Sequence, residues 1–176
     1  MATSNYILDT NVFLQSKNFE YRFDFCVAFW DWIKVAHTNG LLYSCSKVHQ
    51  ELIDGDSKKT CPARKWADSM PATFFLADTN NPAVMLHYGS LMNWATKSKQ
   101  YTSAAVKEFA GKDEADAFVV AVAKHHGLTL VTHEKPAASA KARIPIHSAA
   151  QALGVKVVRL YDLLSLNAGQ TFVYRP

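Results

Sequence analysis

Short apolar runs closed by polar residues alternate with longer stretches of helical spacing along most of this 176-residue chain. Tyr6-Ile7-Leu8 ends in Asp9, and Thr10-Asn11 then offers turn or helix-start chemistry before Val12-Phe13-Leu14, which predicts a buried first strand. From Arg22 to His37 apolar residues recur at helical intervals through Phe23, Cys26, Phe29, Trp30 and Ile33, and Asn39-Gly40 closes the pattern. Leu41 to Cys45 reads as a second strand, and Ser46 as the cap of a helix through Val48, Glu51 and Leu52.

The middle of the chain is less periodic. Gly55 to Lys59 is a polar turn region, Lys65 to Met70 a helix, Phe74-Phe75-Leu76 a short strand, and Pro82 opens an amphipathic helix through Val84, Leu86, Leu91, Met92 and Trp94. The pattern sharpens again after Gly111. Asp113 can cap a helix of Ala115, Phe118, Val119, Val122 and Ala123, ended by Gly127 and followed by the strand Leu128 to Thr132. A loop with Pro136 and Pro145 leads to a short helix over Ser148 to Leu153. Val155 to Leu160 is a last strand, and Asp162 begins a closing helix. Strands alternating with helices predict an α/β fold, a three-layer α/β/α sandwich around a mostly parallel sheet of about four or five strands. Length and a composition that is about half apolar suit a single domain spanning 1–176.

In such a sheet every strand points its C-terminal end at the edge where the next helix begins. Asp9 closes the first strand and Glu51 lies within two turns after the second. Asp116 sits in the first turn of its helix, and Glu134 follows the Leu128 to Thr132 strand by two residues. All four acids map to one edge, where ligands of open α/β sheets bind. Either Asp9 or Asp116 alone would read as a helix cap; four acids at one edge repel one another and call for a divalent cation. Hard oxygen donors select Mg²⁺ or Mn²⁺, and hydrolysis of a phosphodiester is the chemistry that such a centre suits.

Tyr6-Ile7-Leu8-Asp9-Thr10-Asn11 and Ala115-Asp116-Ala117-Phe118-Val119-Val120-Ala121-Val122-Ala123, the latter followed by His126-Gly127-Leu128-Thr129-Leu130-Val131-Thr132, resemble the motifs of the PIN-domain ribonucleases, many of them VapC-like toxins of bacterial toxin–antitoxin modules. The resemblance covers roughly 5–54 and 112–166, leaving 55–111 as a divergent helical insertion. It implies that Asp9, Glu51 and Asp116 take the main acidic roles, with Glu134 where the family commonly has Asp. Thr10, Asn11 and Thr132 would support them, Asn11 and Thr132 by hydrogen bonds to carboxylates and water, and Asp113 is a rival supporting acid. It also implies magnesium-dependent endoribonuclease activity leaving a 5′-phosphate, and often a cognate antitoxin protein as partner.

Charge adds an RNA-facing expectation. The formal net charge is a modest +4, but from His125 onward six Lys or Arg face two acids. Lys135, Lys141 and Arg143 follow Glu134 in the loop at the acidic edge and are the candidate RNA contacts. Trp94, Lys97, Lys99 and Tyr101, and likewise Tyr21-Arg22-Phe23, read more simply as a solvated helix end and core aromatics. Three widely spaced cysteines, Cys26, Cys45 and Cys61, form no C-x-x-C pair and read as reduced thiols. No apolar run reaches the roughly 18 residues of a membrane span, and the start resembles no signal peptide, so a cytoplasmic address without membrane contact is expected. A homodimer stays open. The rival readings are a haloacid-dehalogenase-like phosphatase, which would need an acid where Asn11 stands, and a catalytically silent PIN-like module that binds RNA or protein. No Gly-rich phosphate loop, H-E-x-x-H or P-C-x-x-C motif opens another route.

Overall fold

A computed structural model describes residues 5–54, 61–111 and 114–169. Five parallel strands form one sheet in the order β3-β2-β1-β4-β5: β1 (Tyr6–Leu8), β2 (Leu42–Cys45), β3 (Phe75–Leu76), β4 (Thr129–Val131) and β5 (Val157–Val158). Helices cover both faces, which makes a three-layer α/β/α sandwich. The chain builds outward from β1 to β3 and then returns to the other side of β1, so strand order reverses between β1 and β4. Asp9 leaves one of these strands and Thr132 the other.

Nine α-helices accompany the sheet among the described residues: α1 (Thr10–Gln15), α2 (Val27–Thr38), α3 (Ser46–Asp54), α4 (Pro62–Ser69), α5 (Pro82–Lys97), α6 (Ser103–Phe109), α7 (Asp116–His126), α8 (Ile146–Ala152) and α9 (Leu160–Asn167). The helix α7 holds the centre. Its residues Ala117 to Ala123 are all buried, which is why its sequence is apolar all round rather than striped. Helix α5 packs along it. Gly127, at φ 66°, takes the left-handed conformation that ends α7 and turns the chain into β4. Across the sheet Phe13, Trp30, Trp66 and Phe74 form an aromatic cluster with ring centroids 4.9 to 6.4 Å apart. It anchors α1, the segment that carries Thr10 and Asn11 directly after Asp9.

Several elements depart from their sequence-based bounds. The helix expected from Arg22 begins only at Val27, because Arg22 to Phe25 form a turn in which Phe23 stacks on Trp30 at 4.1 Å. Tyr21 likewise stacks on Phe29 at 4.3 Å. The helix at 65–70 instead runs from Pro62 to Ser69, that at 148–153 from Ile146 to Ala152, and the last from Leu160, with Asp162 accepting from the Arg159 N–H at 3.3 Å rather than starting the helix. The strands are shorter than their apolar runs. Helix α6 and the π-helical turn Ser16–Glu20 that extends α1 have no counterpart in the sequence reading. The cap proposed for α7, Asp113, lies outside the described residues; the helix begins at Asp116. No helix among the described residues is long and apolar enough to cross a membrane.

Ser46 is not the cap of α3. Its hydroxyl donates to the Leu76 carbonyl, while buried Asp78 accepts the Lys47 N–H at 2.6 Å and the Thr79 N–H at 2.6 Å. Asp78→Ala is therefore expected to cost about 1–2 kcal/mol, the range of a lost helix cap. That corresponds to roughly 2–8 °C in thermal midpoint for a chain of this size. Ser46→Ala should cost less, and the reverse order in paired melting curves would overturn the assignment.

Candidate active site

Asp9 ends β1 with its carboxylate fully buried. Its Oδ1 accepts the Thr10 N–H at 2.6 Å, capping α1, and its Oδ2 accepts the Thr132 hydroxyl at 2.9 Å. Asn11 completes this support: its Nδ2 donates to Thr132 Oγ1 at 3.0 Å and its Oδ1 accepts the His133 N–H at 3.0 Å. The Glu134 N–H reaches the same Thr132 oxygen at 3.1 Å. One residue from β4 and two from the start of α1 thus fix Asp9 across the gap where strand order reverses. Thr10, Asn11 and Thr132 are thus all hydrogen-bonded around Asp9.

Glu51 is held from two directions. The Thr10 hydroxyl donates to its Oε2, and the Ala115 N–H to its Oε1 at 2.8 Å, so this side chain from α3 serves the start of α7. Asp116, the first residue of α7, lines a cleft of about 230 Å³ together with Glu108, Glu114, Glu134 and Arg143. Arg143 grips Glu134 in a two-pronged ion pair, Nη1 to Oε1 at 3.1 Å and Nη2 to Oε2 at 3.2 Å. The Glu134 carbonyl in turn meets His147 Nε2 at 2.9 Å. Lys135 and Lys141 are exposed on the same loop.

Electrostatics bind these acids into one site. Burial raises the proton affinity of Asp9 well above the carboxylate range, and the charges of Asp116 and Glu134 raise it further against the pull of Thr132 and Thr10. Asp116 is pushed up from 3.8 to about 7, first by burial and then by Glu134, Glu51 and Glu114, with Arg143 opposing. Glu51 is raised by burial, while its bonds from Thr10 and Ala115 work the other way. Asp116 thus feels Glu51 and Glu134, and Asp9 feels Asp116 and Glu134.

Proximity is not the same as a cage. Among the described residues no three His, Cys, Asp or Glu side chains converge closely enough to hold one metal ion. The hydrogen bonding accounts for this: Glu51 is spent on Thr10 and the start of α7, and Glu134 on Arg143. Asp9 has both oxygens bonded by the neutral donors Thr10 and Thr132, and it and Asp116 remain as the pair to which no described cationic side chain is bonded. Two carboxylates suit Mg²⁺ or Mn²⁺, which keep several waters and complete their shell with substrate phosphate oxygens. The donors present fit such a cation in that form.

Glu114, Glu108 and His147 were not foreseen. Glu114 had a signal, lying two positions before Asp116 in an acidic motif. Glu108 had none, because α6 shows no clear periodicity, and His147 joins Glu134 only through the fold of the intervening loop.

A parallel α/β/α sandwich with an acidic strand edge is the class of molecule that the fold and the site define. Within it, the chain belongs to the family described as a domain of unknown function (DUF4411), whose model matches residues 6–171. No curated protein matches the chain in sequence. Among solved structures it is similar to FitAcB from Neisseria gonorrhoeae, at 19% identity and a TM-score of 0.50, with 86% of this chain and 95% of that chain covered. At that identity the likeness speaks for the shared fold.

Proposed function

We propose that this protein is a Mg²⁺- or Mn²⁺-dependent endoribonuclease of the PIN type, acting as the toxin of a toxin–antitoxin pair. The observation that carries the reading is the placement of buried Asp9 and half-buried Asp116 beside the strand-order reversal, where burial and neighbouring acids push both carboxyls toward protonation. Function then requires a compensating cation, because a site left protonated at neutral pH would do little hydrolysis. A bound divalent ion would supply charge neutralisation at the phosphate and an activated water.

The chain's own groups divide the remaining work. Asp9, immobilised by Thr10 and Thr132, and Asp116, at the start of α7, would be the direct ligands. Glu51 and Glu134 would orient water, with Glu51 held by Thr10 and the Ala115 N–H as described above. Exposed Lys135 and Lys141 would meet phosphates flanking the cut. The motif resemblance to VapC-like toxins favours RNA over other phosphodiesters and a cognate antitoxin that covers the acidic cleft.

Purified protein incubated with mixed RNA is expected to generate new 5′-phosphate ends in Mg²⁺ or Mn²⁺ and none in EDTA, read by sequencing those ends. Hydrolysis of a phosphomonoester without RNA cutting would favour the phosphatase alternative. Neither activity would leave a binding module and refute the enzyme.

A further inference from the structure

The Glu134–Arg143 pair stands in an unusual place. Arg143 is the one basic residue among the described residues lining the acidic cleft, and it occupies both oxygens of Glu134, the carboxylate whose charge bears on both Asp9 and Asp116. Its side chain is 55% exposed, whereas that of Glu134 is 18% exposed. The Glu134 backbone is pinned at both its N–H and its carbonyl, by Thr132 and His147, so the carboxylate can turn without the loop moving. An exposed ion pair of this kind contributes little to stability and is readily exchanged. The guanidinium fork that fits a carboxylate fits a phosphate equally well.

Resting on the nuclease reading above, we propose that Arg143 is a tethered counter-cation that releases Glu134 to the divalent ion and then clamps the RNA phosphate beside the cut. In the cation-free protein Arg143 neutralises the cleft and keeps RNA phosphate contact low. Cation uptake frees the guanidinium, so cation and RNA reinforce each other's binding. The exchange involves only non-covalent partners, and any protons held by Asp9 and Asp116 leave to solvent as the cation binds.

The test measures binding as well as cleavage. Mn²⁺ titrations by calorimetry, without RNA, should show Arg143→Ala binding the ion about 5–10-fold more tightly than the wild type, because a competitor for Glu134 is gone. With Ca²⁺ present, the same variant should bind a phosphorothioate RNA oligonucleotide roughly tenfold more weakly, with a salt slope shallower by about one. Arg143→Lys should fall between the two. If Arg143→Ala does not fold, Glu134→Gln tests the exchange from the other side: in EDTA it should bind RNA more tightly than the wild type, since Arg143 is released. Unchanged or weaker Mn²⁺ binding in Arg143→Ala, or no gain of RNA binding in Glu134→Gln, overturns the proposal even where the wild type cleaves RNA. Mn²⁺ uptake by the wild type without RNA cleavage instead counts against the nuclease reading alone, and absence of any Mn²⁺ uptake overturns both.

Discussion

Asp116→Asn and Asp9→Asn will each slow RNA cleavage by at least about three orders of magnitude, an increase of roughly 4 kcal/mol in the barrier. Both changes preserve shape and remove one charge. Asn at position 9 still offers an oxygen to the Thr10 N–H, and its amide can donate to the Thr132 hydroxyl, so the start of α1 keeps its cap. Asn at position 116 leaves α7 intact, since the Ala115 N–H is served by Glu51. What disappears is the pair of adjacent charges that a divalent ion needs. Glu51→Gln and Glu134→Gln should have smaller effects, of about 10–100-fold, as expected for groups that orient water. Initial rates on one RNA substrate, with circular dichroism and melting curves to show that each variant folds, check the ranking. Activity within tenfold of wild type for either purified Asp variant refutes the assignment.

How far these roles could be read from the sequence depends on the range over which each is determined. Asp9, Thr10 and Asn11 are consecutive and end an apolar run, and Asp116 opens a helix that Gly127 closes, so alternation and capping chemistry suffice to place them on one edge. Strand order reversing beside Asp9 follows from β1 taking β4 as its second neighbour, which periodicity does not disclose but parallel crossovers permit. Beyond that range the pattern is silent. The acceptor for the start of α3 is Asp78, thirty-one residues from Lys47 in sequence, and no local signal distinguishes it from a loop acid. Trp66 and Phe74 belong to the same aromatic cluster as Phe13 and Trp30, although they come from a stretch whose apolar spacing is irregular. Arg143 was legible as a cation near the acidic edge. Its grip on Glu134 was not, because a loop with neither period fixes which of its charges meet.

Between pH 5 and pH 8 the cation-free protein is expected to lose stability, and Mn²⁺ should restore it only at the upper end. Asp116 titrates near 3.8 in an unfolded chain and at about 7 in the folded one, so over that interval the native state binds more protons than the unfolded state. Stability therefore falls as pH rises: the contribution of the raised group is fully present below about 3.8 and is gone above about 7. Asp9 is raised in the same sense and adds to the loss. A tenfold change in proton affinity is worth about 1.4 kcal/mol, and about two tenfold steps separate pH 5 from the folded value of about 7, so Asp116 alone sets a ceiling of roughly 2.7 kcal/mol over this interval. Partial exposure to solvent brings this down to about half. For a chain of this size the thermal midpoint in EDTA should drop by roughly 3–5 °C from pH 5 to pH 8. A divalent ion competes with protons for the same oxygens, so saturating Mn²⁺ should recover most of the drop at pH 8 and little at pH 5. Asp116→Asn removes the penalty at its source: it should melt higher than the wild type at pH 8 in EDTA and respond weakly to Mn²⁺. A wild-type midpoint that rises steadily from pH 5 to pH 8 in EDTA would show that burial at the strand-order reversal does not load these carboxyls with protons, and the need for a cation would go with it.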